Sequence, residues 1–175
     1  YRPDGRKILD VRTSSSLKGY GLTELFSESS EPPFTVFPFE EFKKLFPEGE
    51  YRLVGETIDG VKLQSFATLT HNIPAGPEVT SPVDGSTVPH GDVVVEWMPV
   101  TEPAGIEIVG YHLEVIRQGD SVSGAENLAL DLPADATSFT IPAEFLEAGQ
   151  EYKFEVFAIE TGDNQTLTEA LFTVA

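Results

Sequence analysis

Cysteine is absent from this 175-residue chain, which removes disulfides, thiol nucleophiles and thiolate metal sites together. The absence does not fix a compartment, because secreted proteins without disulfides and cytosolic proteins both satisfy it. Long apolar runs are missing too: no stretch approaches the roughly 20 residues that cross a bilayer, so membrane insertion is not expected. Positive charge is scarce and unevenly placed. Residues 1–76 hold nine Lys/Arg against eleven Asp/Glu, net −2, while residues 77–175 hold only Arg117 and Lys153 against eighteen acids, net −16. A surface this negative repels phosphate and anionic lipid and offers no basic stripe, which excludes nucleic acid as a partner. The asymmetry predicts two units with different surfaces, and its sign suits solubility in a salty or extracellular setting. The chain is long enough to bury a core without metal or disulfide staples. It starts at Tyr1 rather than Met, as a processed or trimmed chain would.

What is present is β patterning. Val93, Val95 and Trp97, then Tyr111, Leu113 and Val115, then Tyr152, Phe154, Val156 and Ala158 recur at every second position, each set on one face of a strand. Turn chemistry separates them at Pro82-Val83-Asp84-Gly85, Glu102-Pro103-Ala104-Gly105, Gln118-Gly119-Asp120 and Thr161-Gly162-Asp163-Asn164. Seven strands are predicted, at 78–82, 92–98, 107–117, 127–131, 137–141, 151–160 and 167–174. The boundary before them is expected at Asn72-Ile73-Pro74-Ala75-Gly76-Pro77, where prolines and a glycine follow a strand-like run. This divides the chain into 1–76 and 77–175.

Trp97 early in the second unit, the strand Gly110 to Val115, the run Thr137 to Pro142, and a corner built of Leu146, Gly149 and Tyr152 together resemble a fibronectin type III domain over residues 77–175. The resemblance implies a seven-stranded immunoglobulin-like sandwich, usually extracellular, that serves as a spacer or binding surface. In such a corner the tyrosine hydroxyl bends back to the backbone just upstream. Trp97, Tyr111, Leu146, Gly149 and Tyr152 are thus a structural signature. The loop before the last strand contains no Arg-Gly-Asp, so integrin-type adhesion is not implied.

The first unit is expected to be small and β-rich with one short helix. Phe39, Phe42 and Phe46 recur at helical spacing between Pro38 and Pro47, placing a helix near 38–46. Asp59-Gly60 between alternating runs signals a hairpin near 50–70. Two more strands, near 6–13 and 21–28, are expected to complete a sheet.

No catalytic constellation emerges. His71, His90 and His112 lie in unrelated segments. Gly119 to Gly124 lacks the glycine at position 123 that a nucleophile elbow requires, and Gly19-Tyr20-Gly21 lacks the third glycine of a dinucleotide fingerprint. Glu151 and Glu155 flank Lys153 and fit a solvated sheet face. No EF-hand loop occurs, and calcium is left open only at Asp131 with Asp135 or Asp163 with Asn164. No other cofactor is expected. Asn164-Gln165-Thr166 matches a glycosylation acceptor triplet.

The informative anomaly is apolar. Ile116, Phe157 and Ile159 fall on the outward parity of their strands, where a solvated sheet is polar. Burying such a side chain is worth roughly 1.5 to 3 kcal/mol, so the three are candidates for contact with a partner. The reading is a non-catalytic binding or structural module, secreted, periplasmic or on the cell surface, that meets a protein or matrix component, the first unit in cis, or a second copy of itself. The alternatives are an accessory region of a secreted polysaccharide-active or proteolytic enzyme and a calcium-dependent adhesin.

Overall fold

The computed structural model describes residues 1–12, 32–119 and 127–175. The chain divides into two compact units, Tyr1–His71 and Asn72–Ala175.

In the first unit a helix α1, Phe39–Leu45, precedes strands β1, Gly49–Glu56, and β2, Lys62–Leu69. The strands pair antiparallel, from Gly49 opposite Leu69 to Glu56 opposite Lys62. The Asp59-Gly60 signal marks the real turn: Gly60 sits at φ +80, its N–H donates to Thr57 O, and Thr57 N–H donates to Val61 O. A glycine reaches that conformation without the steric cost of a Cβ. The α1 spacing brings Phe39, Phe42 and Phe46 into a ring ladder, with centroid separations of 5.9 and 4.8 Å.

The expected strand near 6–13 does not form over its described residues, 6–12. A tight turn uses this segment's polar groups instead: Gly5 N–H donates to Arg2 O, Arg2 N–H to Arg6 O, and Asp10 takes up Lys7 and Arg12. Upstream of this segment Tyr1 exchanges backbone hydrogen bonds with Arg52 of β1. The second expected strand, 21–28, lies outside the described residues.

The second unit is a two-sheet sandwich. Strands β3, Glu78–Ser81, β5, Val93–Met98, and β8, Ser138–Ile141, form one sheet in the order β3-β5-β8. The other sheet contains β4, Ser86–Val88, β6, Ile108–Arg117, β7, Asn127–Pro133, β9, Glu151–Glu160, and β10, Gln165–Val174. Its order is β4-β10-β9-β6-β7. The seven expected strands are present within a few residues, and β4 is an eighth. It pairs parallel to the end of β10, Ser86 opposite Phe172 and Val88 opposite Val174.

Burial follows the parity of the sequence. Strand β9 alternates without a break, with Tyr152, Phe154, Val156 and Ala158 buried. These side chains meet Val93, Val95, Trp97, Tyr111, Leu113, Val115, Phe172 and Val174 in a single core.

The Pro-rich segment at 72–77 belongs to the sandwich. Ala75 N–H donates to Glu102 O, Pro74 and Pro77 are buried, and a Cβ on Gly76 would lie 2.8 Å from Thr168 Oγ1. The unit therefore begins at Asn72 rather than at 77. Gly76 here serves close approach to β10 and the two prolines are buried, although in sequence the segment looks like a linker.

Candidate functional site

The signature residues build the frame. Tyr152 is fully buried, its hydroxyl accepts Glu147 N–H at 2.9 Å and donates to Phe145 O at 3.3 Å. Gly149 turns the corner at φ +81 and its N–H donates to Val174 O. Leu146 closes the corner from inside. On the other side of the same core the Trp97 and Tyr111 rings lie 5.5 Å apart, and the Tyr111 hydroxyl accepts Val100 N–H. Two hydroxyls therefore hold loop backbone from within the core, which fixes the strands whose opposite faces look outward.

The outer face of the five-stranded sheet carries the unusual surface. Cross-strand register places Ile116, Lys153 and Leu171 in one row, and Glu114, Glu155 and Glu169 in the next. Asp131, His112, Phe157 and Leu167 form the row after that, and Gly110, Ile159 and Gln165 the last. The face thus has the apolar pair Phe157 and Leu167, with Ile159 beside it, on one side of a band of three carboxylates, and Ile116 and Leu171 flanking Lys153 on the other. Phe157 and Ile159 come together as the parity argument predicts, with Leu167 beside Phe157. Ile116 does not join them, because the carboxylate band lies between. Ile116, Phe157 and Ile159 thus share the outer face but not one neighbourhood: parity selects the face, but register selects the row.

The electrostatics of the band follow from its neighbours. Lys153 Nζ donates to Glu155 and stands 3.9 Å from Glu169. The hydrogen bond to Glu155 raises the lysine pKa, against desolvation that lowers it. His112 is held by two carboxylates, Nδ1 2.7 Å from Asp131 and Nε2 3.3 Å from Glu114, and its ring meets Phe157 edge-on at 5.6 Å. Both ring nitrogens are thereby occupied, and no serine or threonine is among these partners. His71 and His90 each contact a backbone carbonyl, Phe46 O and Leu146 O.

A buried acid organises the β9–β10 turn. Glu160 is 1% exposed and lies on the inward parity two residues beyond Ala158. Burial pushes its pKa up, but hydrogen bonds from the Gly162 and Asn164 backbone, Thr161 and the Asn164 side chain outweigh that and leave it lowered. This arrangement uses one of the loops suggested for calcium: Asn164 Nδ2 donates to Glu160 Oε1 at 2.9 Å and to Asn72 O at 3.2 Å. The same nitrogen is the one a glycan would need. In the other loop Asp131 is engaged with His112. Among the described residues no group of three or more His, Asp or Glu is placed to hold a metal ion, and no helix is long and apolar enough to cross a membrane. The segment 120–126, which contains most of the rejected nucleophile-elbow pattern, lies outside the described residues, as does Gly19-Tyr20-Gly21.

Sequence reasoning missed Glu160, Leu167, Glu169 and Leu171. Counting by two from Tyr152 would have placed Glu160 inside. For β10 the same count from Phe172 puts Leu167, Glu169 and Leu171 outside.

No known family model matches the chain, and no curated protein matches it. Solved structures similar to it include a computationally redesigned β-sandwich protein, 22% identical over 58% of this chain and 93% of its own, TM-score 0.42. Two others are fibronectin type III domains. One is the fn3 domain of the human collagen α-1(XX) chain, 19% identical over 58% of this chain and 83% of its own, TM-score 0.39. The other is the third fibronectin III domain of the human KIAA0343 protein, 19% identical over 58% of this chain and 79% of its own, TM-score 0.41. The chain is mainly β, and its second unit has a fibronectin type III-like sandwich. That description rests on the sheet orders β3-β5-β8 and β4-β10-β9-β6-β7 and on the tyrosine corner.

Proposed function

We propose that the chain is a non-catalytic binding module of a secreted, periplasmic or cell-surface protein, and that its sandwich docks a partner protein through the outer face of the five-stranded sheet. One observation carries the reading: Phe157 and Leu167 stand directly opposite each other on that face, with Ile159 next to Phe157 on the same side of β9. The sandwich core is complete without them. A sheet face that meets water alone is polar, and contiguous apolar side chains on it mark a contact surface. A fibronectin type III-like frame hosts many functions, so the surface and not the fold supports this assignment.

A photo-crosslinking residue placed at Leu167, and in a second protein at Val94 on the outer face of the other sheet, tests the reading in the cells that produce the chain. The expected result is a discrete adduct from position 167 that is lost with Phe157→Glu and is absent from position 94. Equal adducts from both positions, or none from 167, overturn it.

A further inference from the structure

We infer that the partner of this face is a cationic protein segment in which arginine or lysine side chains lie beside aliphatic ones. The inference rests on the docking reading above and names the chemistry of its occupant. Glu114, Glu155 and Glu169 stand directly opposite one another across three neighbouring strands. Like charges in that relation destabilise a sheet. Lys153 offsets the inner part of the band, where Glu155 is 12% exposed, but Glu169 at 64% and Asp131 at 87% remain open to solvent. With Glu114, Glu151, Glu155, Glu169 and Asp131 against Lys153, the described residues of the face carry five carboxylates and one ammonium, 5 − 1 = 4 excess negative charges before His112 is counted. A second copy of the chain would bring the same carboxylates against these, which disfavours self-association through this face.

The spacing suits arginine and lysine in particular. Neighbouring strands lie about 4.8 Å apart and successive outward residues about 7 Å apart. A cationic side chain can therefore lay its methylene stem on Phe157 and Leu167 while its head reaches the carboxylate band. Guanidinium forks match carboxylates in paired hydrogen bonds. The Phe157–Leu167 pair and the acidic band then act as one surface, the pair receiving the stem and the band the head of a single long cationic side chain.

The test uses the whole chain and three synthetic octapeptides, alternating arginine with leucine, glutamine with leucine, and arginine with serine. Binding is followed by amide chemical shifts. The arginine–leucine peptide is expected to bind tightest and to shift amides on the outward rows of β6, β9 and β10. The combined variant Glu114→Gln, Asp131→Asn, Glu169→Gln should weaken it at least about tenfold. A charge-matched variant elsewhere, Glu78→Gln, Glu96→Gln, Glu144→Gln, should change it less than about twofold in moderate salt. Leu167→Ser, at an exposed position that leaves the core intact, should weaken it several-fold through the apolar half.

Equal weakening by the charge-matched variant means bulk attraction and overturns the inference. Tighter or equal binding of the glutamine–leucine peptide on the same amides also overturns it, while leaving the docking face in place. Shifts from every peptide lying away from this face remove both.

Discussion

Strand β9 and the hairpin β1–β2 both alternate apolar with polar residues, yet they come to opposite ends. In β9 every second side chain is buried. In the hairpin Leu53, Val54, Leu63 and Phe66 are each at least half exposed, and no described residue of Tyr1–His71 is buried. Alternation sorts side chains between two faces; it cannot supply the second layer that takes one face out of water. The sandwich has that layer in β3-β5-β8. Among the described residues of the first unit the contacts are polar and aromatic: Tyr51 hydroxyl to Pro47 O, His71 N–H to Glu48, and the Arg52 guanidinium 4.3 Å over the Tyr1 ring.

The largest expected difference between the units is the cost of removing an aromatic ring. Phe154→Ala should destabilise the sandwich by about 3 to 5 kcal/mol, because a buried ring leaves a cavity as well as losing its transfer energy. Phe66→Ala, at a half-exposed position, should cost under about 1 kcal/mol. Urea unfolding read by tryptophan fluorescence measures the first, and amide exchange in β1 and β2 the second. Comparable losses would erase the distinction between the buried strand and the half-exposed hairpin.

A hydroxyl comparison comes next. Tyr152→Phe leaves Glu147 N–H without its partner beside a buried ring, which should cost about 1 to 3 kcal/mol. Tyr51→Phe removes a bond to Pro47 O at a half-buried position where water can replace it, and should cost about 0.5 kcal/mol. The same urea and exchange measurements decide the pair. A Tyr152→Phe variant as stable as the parent would show that the corner is held by packing alone.

How legible the molecule is in its sequence follows from the same contrast. Where two strands face a common core, parity alone predicts burial, and Tyr152, Trp97 and Gly149 announce the sandwich through local chemistry. Strand β4 was not legible, because three residues give no period and its pairing with β10 joins segments about 86 positions apart, as Ser86 opposite Phe172 shows. The Asn72–Pro77 segment misleads for a related reason: proline and glycine mark both linkers and close approaches. On the outer face Phe157 and Ile159 were legible one residue at a time. The carboxylate band was not, since Glu114, Glu155 and Glu169 meet only when register joins three strands.

Two carboxylates with lowered pKa values sharpen the comparison through pH. Glu160 is buried and lowered from 4.5, mainly by the turn's backbone N–H groups working against desolvation. Because its folded value lies below the unfolded one, its contribution is complete above about pH 4.5 and is lost as pH falls through the lowered value. Glu160→Gln should therefore cost about 2 kcal/mol near neutrality, from hydrogen bonds to a charged group, and the gap to the parent should narrow in acid. Asp10 is lowered from 3.8 to about 2 by Lys7 first and then Arg12, but it is exposed. Its effect has the same sign and should vanish in high salt, where Asp10→Asn and the parent melt alike at every pH. A salt-resistant Asp10 effect would mean that the first unit shelters this group from solvent.

The smallest effect is one in which the two units should agree. Gly60 in the hairpin turn and Gly149 in the sandwich corner have φ +80 and +81, and a Cβ on either meets no atom closer than 3.9 Å. The cost of alanine is then backbone strain alone, about 1 to 2 kcal/mol, which depends on local geometry and not on what surrounds it. Gly149→Ala should lower the sandwich melting midpoint, and Gly60→Ala should speed exchange of the Thr57 and Gly60 amides by the matching free energy. If Gly149→Ala costs several times more than Gly60→Ala, the corner is not free to relax around its hydroxyl bonds. The rigidity of the core would then extend to its turns, and the difference between the units would be one of cooperativity as well as burial.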